Sequence, residues 1–390
     1  MVYVANRPLQ FAIARLMRFS ASTYLPFVKT YFINDPILGK AVLKDTDNFS
    51  SSHTGSIGEL TSHIMGKTSK ALFNMKGDEH HELKFKLLDI FQPEYIDQMV
   101  AEALGYEVDE LQKRIKKGET VDLCVFIKRC TSRVTCHMLG IRSDDADFDE
   151  MLLHVAKLSD DLTSMISISS SNLSQKQIKR GKAIYKEFCK VIKKYYDLDD
   201  YPDSCVIAKL KQRGFDFNEA KALLVTLIMA GTETVSSALP RIINIFIEED
   251  LWPTLKKRPK KLEDAINEGL RFTSPSPLAV HSVVKDNTTM GRRFKGDRRA
   301  LIVLINILRD NRFYPNAYTI DIDRVQNPEY RYFWFGAGPH FCLGSELAKK
   351  ELRTIIGMLL KIKGQPVVVK RRYARGTSFP GYKELSVRFS

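Results

Sequence analysis

Six cysteines occur in this 390-residue chain, and one of them stands where a thiol could do chemistry. Cys342 lies in the run Phe335-Gly336-Ala337-Gly338-Pro339-His340-Phe341-Cys342-Leu343-Gly344, and the thiolate form of such a residue is the metal ligand and the nucleophile. Ala348, Leu352, Ile355 and Leu359 recur at helical spacing after it, so the cysteine falls near the start of a helix, where unpaired N–H groups favour a thiolate. Gly336, Gly338 and Gly344 mark places where backbone turns sharply or lies against something flat and bulky. Taken alone, a cysteine of this kind is as readily a small buried hydrophobe.

Three further groups of residues could take part. The run Ala222 to Ala230 is apolar nearly all round, opens on a capping box at Asp216-Phe217-Asn218-Glu219, and belongs to a core helix over Leu223 to Leu239. Gly231-Thr232-Glu233-Thr234 interrupts that run with one charge and two hydroxyls, whose burial without partners costs several kcal/mol. Groups of that type beside a disturbed helical ladder can hold waters and pass protons. Glu268 and Arg271 stand three apart on a helix, in reach of one another, and Ser274-Pro275 follows. Asp78-Glu79-His80-His81-Glu82-Leu83-Lys84 is a charged amphipathic helix that a solvated surface would also explain.

Together these runs resemble the cytochrome P450 family. Phe335 to Gly344 match its haem-binding loop, F-G-x-G-x-[HR]-x-C-x-G, at every fixed position, and Ala230 to Thr234 match its [AG]-G-x-[DE]-T. Glu268-Gly269-Leu270-Arg271 matches its E-x-x-R, and the stretch Tyr314-Pro315 to Asp321-Ile322-Asp323-Arg324 aligns loosely with its meander, which makes Arg324 the third member of a buried ionic cluster. His80 and Lys84 fall where the family's H-x-x-x-R contacts a haem propionate, with lysine replacing the planar fork of arginine. His281 and His340 occupy two more propionate positions.

The resemblance implies a mainly α protein with a small β lobe, the cytochrome P450 fold, over residues 1–390 as a single domain. It implies heme b (iron protoporphyrin IX) with Cys342 as iron ligand, and Ala230, Phe335, Gly336 and Gly344 against the cofactor. Thr234 and Glu233 would steer water and protons to bound O2, while Phe335 and the N–H groups after Cys342 would shield the sulfur. The substrate would be a hydrophobic small molecule lined by Met229, by Leu278, Ala279 and Val280, and by the turn at Phe379. A peroxide-driven peroxygenase on the same fold is one alternative, disfavoured by Glu233-Thr234; a haem-binding sensor or electron carrier without turnover is another.

Wider features fit that frame. No linker, repeat or low-complexity tract divides the chain. Tyr31 to Asp35 through Asp47 to Ser51 resemble the family's N-terminal sheet and the helix after it, and Val121 to Leu139 and Gln175 to Tyr196 read as amphipathic helices of the variable cover. Ala12 to Met17 is short and broken by Arg15, and no segment approaches the roughly 18 to 20 apolar residues of a membrane span, so a cytoplasmic protein with no membrane anchor is expected. Cys124, Cys130, Cys136, Cys189 and Cys205 form no C-x-x-C pair and are expected as reduced thiols. The 60 Lys+Arg against 46 Asp+Glu give +14, yet the basic residues are not interleaved with aromatics and no nucleic-acid partner is expected. An acidic, ferredoxin-type electron donor is expected instead, docking near Lys349, Lys350 and Arg353.

Overall fold

The structure is a computed structural model that describes residues 2–51, 60–66, 71–165, 173–325 and 327–390. Its helices are α1 Val2–Asn6, α2 Pro8–Leu16, α3 Pro36–Lys44, α4 Gly77–Leu88, α5 Pro93–Lys116, α6 Leu123–Met138 and α7 Phe148–Thr163. They continue as α8 Gln175–Tyr196, α9 Val206–Gln212, α10 Phe217–Glu248, α11 Trp252–Lys257, α12 Leu262–Phe272, α13 Leu304–Ile307 and α14 Ser345–Lys361.

Most buried apolar side chains form one large cluster, and α10 runs through it. Its start is set locally: the Asp216 carboxylate accepts from the Glu219 N–H and the Glu219 carboxylate accepts from the Asp216 N–H, so two otherwise orphaned donors are satisfied. From there the helix runs past the expected end at Leu239, carrying Pro240 inside it, and packs on α6, α7, α8, α12 and α14. Among the described residues α10 alone is long and apolar enough to cross a membrane, which corrects the expectation that no segment approaches that length. Its most apolar window is 61% buried among the other helices, the character of a core helix.

The small β lobe is a five-stranded sheet in the order β1 Ser22–Leu25, β2 Thr30–Ile33, β8 Arg298–Ile302, β5 Ala279–Val283 and β3 Phe49–Ser50. Only β2 and β8 pair in parallel, with Ile33 opposite Ile302; α3, capped by Asp35 on the Leu38 N–H at 2.9 Å, returns the chain from β2 toward β3. Strands β4 Val121–Asp122, β10 Tyr382–Phe389 and β9 Pro366–Tyr373 form a second sheet in that order. Strands β6 Asn287–Thr289 and β7 Arg292–Phe294 form a separate ribbon.

Candidate haem-thiolate site

The loop that presents Cys342 is built by local bends. A 3-10 turn at Phe333–Phe335 ends at Gly336, whose φ of 84° is open to glycine and strained for other residues. Gly338, at φ 70°, lies against the end of α3: a Cβ there would meet the Leu43 carbonyl at 2.8 Å and Lys44 Cα at 2.9 Å. The Cys342 N–H then donates to the Phe335 carbonyl at 3.0 Å, closing the loop on itself. Helix α14 begins three residues later, at Ser345, so the thiol precedes the helix rather than opening it. Surrounding protein pushes the Cys342 thiol pKa up by burial, and the Gly344 N–H and Lys84 pull it the other way. Yet Cys342 is the one exposed cysteine; the other five are buried or half-buried. The residue thus keeps accessible surface although surrounding protein is dense enough to raise its thiol pKa.

Helix α10 also has an accessible stretch. Met229 is buried, but Ala230, one position on, is exposed in the middle of an otherwise packed helix, and a Cβ built at Gly231 would meet nothing within 4 Å. Thr234 stands one turn on and its hydroxyl donates to the Ala230 carbonyl at 2.7 Å, occupying that acceptor. Glu233 points elsewhere: its carboxylate pairs with Lys128 of α6, which also holds Asp160 of α7. Burial raises the Glu233 pKa and Lys128 opposes it. Thr232 bonds Thr135 of α6 at 3.0 Å. Of the acid–alcohol pair, then, only Thr234 lies on the Ala230 side, and Lys128 and Asp160 are partners that no local pattern in the sequence marks.

Three histidines gather beside the cysteine loop. The rings of His80 and His340 lie 4.3 Å apart at 46°, and His281 is near enough to His340 to depress its pKa. All three are pushed down to about 4, by burial first and then, for His80 and His340, by neighbouring basic groups. His80 and His281 are 1% and 7% exposed, and the Nδ1 atom of each is buried without a hydrogen-bond partner. Orphaned polar atoms of this kind mark a missing partner. Lys84, expected to join them, instead donates to the Pro339 carbonyl at 2.5 Å and the Phe341 carbonyl at 2.8 Å. Its flexible ammonium reaches the loop backbone, so here it braces the cysteine loop.

Behind the loop, Glu268, Arg271 and Arg324 meet. Arg271 donates to both Glu268 oxygens at 2.7 Å, and Arg324 Nε donates to the same oxygens at 3.1 and 3.3 Å. The remaining Arg271 donors go to the Leu308, Ala317 and Thr319 carbonyls, and those of Arg324 to the Pro315, Asn316 and Thr319 carbonyls. The Asp321 N–H adds a 3.1 Å bond to Glu268. One carboxylate thereby ties the meander to α12, and α12 in turn touches the turn at Phe333–Phe335.

The expected substrate lining divides. Phe379 lies in a turn that packs on α10, where the Ser237 hydroxyl donates to the Pro380 carbonyl at 3.0 Å, three residues beyond Thr234. Ala279 and Val280 are half-buried at the start of β5. Leu278 is also half-buried and packs against a satellite cluster of Ala14, Val303 and Ile305, next to the hydrogen bond from the Ile305 N–H to the Pro277 carbonyl. The three cations expected to attract a donor are also already engaged: Lys349 is buried against Glu346, Lys350 pairs with Asp97, and Arg353 with Glu263.

Comparisons with known proteins agree with this geometry. The profile of the family described as "Cytochrome P450" matches residues 21–249 and 252–362. A "Cytochrome P450" of Bacillus subtilis is 32% identical over 145 residues, 37% of this chain and 35% of that protein. "Cytochrome P450(BM-1)" of Priestia megaterium is 24% identical over 336 residues, covering 83% of this chain and 78% of the relative. Among solved structures, the versatile cytochrome P450 enzyme CYP109B1 from Bacillus subtilis superposes with a TM-score of 0.81 at 20% identity, over 99% of this chain and 100% of that one.

Proposed function

We propose, from the premise that this chain belongs to the cytochrome P450 family, that it inserts one oxygen atom of O2 into a hydrophobic small molecule with electrons from a separate donor. It is a cytochrome P450 monooxygenase, and members of the family bind heme b. The reading for these residues rests on one observation: Cys342, the exposed cysteine, stands on a loop beside His80 and His281, whose Nδ1 atoms are buried without partners. A dianionic porphyrin fits that donor set, with Cys342 as the thiolate ligand and His80, His281 and His340 toward the carboxylates. When bound, haem supplies the one-electron and dioxygen chemistry, and a thiolate ligand favours O–O cleavage.

The chain's own residues do the rest. The Gly344 N–H stabilises negative charge on the Cys342 sulfur, and Lys84 holds the loop carbonyls that set its position. Thr234 keeps its hydroxyl at the open Ala230 turn, where it can exchange the Ala230 carbonyl for a water and hand on a proton. Glu233, tied to Lys128 and Asp160, stores the second proton-active group one step behind it. Met229, Ala279, Val280 and Phe379 leave an apolar lining. The protein acts as a single cytoplasmic domain, and an acidic, ferredoxin-type donor supplies its electrons.

Labelling tests the reaction. With a ferredoxin, its reductase, NADPH and a compound whose binding shifts the haem spectrum, 18O2 should leave one labelled oxygen in the product and one in water. Label arriving from added peroxide alone, with none from O2, would replace the monooxygenase reading with the peroxygenase.

A further inference from the structure

The first 34 residues contain no aspartate or glutamate; their charged side chains are Arg7, Arg15, Arg18 and Lys29. The same stretch carries an unusual share of apolar surface. Of the 21 large hydrophobic side chains that are exposed among the described residues, eight fall between Val4 and Val28. Leu9, Leu16, Phe19 and Phe27 are the extreme cases, at 72%, 76%, 82% and 82% exposure.

Helix α2 explains how they come together. At 100° per residue, Phe11 and Ala14 lie on one side of it, and this side is docked: Ala14 is buried against Val303 and Ile305, with Phe11 packed on the same cluster. Arg7 donates to the Gly376 carbonyl at 2.7 Å, and Asn306 donates to the Ala14 carbonyl at 2.7 Å, so the helix is fastened at both ends. The opposite side holds Leu9, Ile13 and Leu16, spaced at i, i+4 and i+7, and Phe19 follows in the next turn. A helix with polar residues facing solvent would need no explanation; one that is apolar on its free side as well is either covered or waiting to be. The cations sit at the margins of this stripe. Arg15 and Arg18 share the Tyr318 hydroxyl at 2.8 and 3.2 Å, and Lys29 follows Phe27 and Val28 at the tip of the β1–β2 hairpin.

We infer that α2, the following turn and the β1–β2 tip form a docking face for an anionic lipid bilayer. An apolar stripe edged by arginine, on a segment that carries no carboxylate of its own, matches an interfacial helix lying in the plane of the headgroups. A protein partner is more often met by a face of mixed charge, whereas the charged side chains of this segment are all positive. The face also adjoins the turn ahead of Phe379 through the Arg7 and Asn6 bonds to Gly376 and Thr377, so docking places the apolar side of the proposed site near a phase where hydrophobic compounds collect.

Flotation of the haem-loaded full chain with vesicles tests this. The protein should rise with phosphatidylcholine vesicles containing phosphatidylglycerol and stay down with pure phosphatidylcholine at the same salt. The triple variant Leu9→Ser, Leu16→Ser, Phe19→Ser should lose binding by more than about tenfold, given three half-inserted apolar side chains. Leu153→Ser, an equally exposed leucine elsewhere at 68%, should bind as the parent does. These side chains are exposed, and an unchanged Soret band and circular dichroism spectrum verify folding. Equal flotation of parent and triple variant, or no flotation of the parent with anionic vesicles, overturns the inference. So does a dimer in sedimentation velocity that the triple variant dissociates, because the face would then belong to a second copy of the chain.

Discussion

Two buried clusters of charge stand against the cysteine loop, and they are built on opposite terms. Behind it, Glu268 is shared by Arg271 and Arg324, and the guanidinium donors left over reach backbone carbonyls. Beside it, His80, His281, His340 and Lys84 are basic or potentially basic, and no carboxylate pairs with any of them among the described residues. The first cluster is complete as the chain folds, so it is framework. The second leaves the Nδ1 atoms of His80 and His281 buried without a partner, and in the reading proposed above it is a receptor for an anion. The same physics, burial of charge, acts in both; what differs is whether the chain supplies the counter-charge.

Breaking the framework should have the largest effect. Glu268→Gln leaves two buried guanidiniums facing a neutral amide and should cost about 3–5 kcal/mol of unfolding free energy. Urea unfolding measures it, and a loss below about 0.5 kcal/mol would mean that the cluster does not hold the meander.

The receptor should answer to pH. His281 is neutral in the fold, its pKa pushed down by burial to about 4 from the ordinary 6.5. Its contribution is therefore fully present above pH 6.5 and is lost as the pH falls toward 4, by about 3 kcal/mol when complete. The haem-free protein should weaken across that window. With haem bound, carboxylates beside the imidazoles raise their pKa values and the loss should shrink. Denaturation midpoints against pH for the two forms decide it, and superimposable curves would remove the propionate assignment of His281.

A smaller effect is expected where the two clusters are bridged by the loop itself. Lys84→Met frees the Pro339 and Phe341 carbonyls, at about 1–3 kcal/mol for lost charge-assisted bonds, and should speed haem transfer to apomyoglobin while leaving Glu268-dependent stability intact. Transfer at the parent rate would show that the loop needs no such brace.

Much of the site was legible in the sequence because its chemistry is local. The turn that presents Cys342, the capping box of α10 and the i,i+3 spacing of Glu268 and Arg271 are each written within a few residues. Partners far apart in the chain were not legible. Lys128 lies 105 residues from Glu233, and the carbonyls that hold Lys84 lie 255 and 257 residues away, so no spacing rule reaches them. The packing of Leu278 on Ala14, Val303 and Ile305 is equally beyond spacing rules, because those partners lie far along the chain. Helix α10 runs past its expected end at Leu239 because the helices packed around it hold the chain helical through Pro240.

The central claim is that Cys342 supplies the thiolate beneath the haem. Reduced protein under carbon monoxide should show a Soret band strongly shifted to the red; Cys342→Ala should lose that band, while Cys205→Ala, at a buried thiol elsewhere, should keep it. A Cys342→Ala protein with the band unchanged would contradict the account.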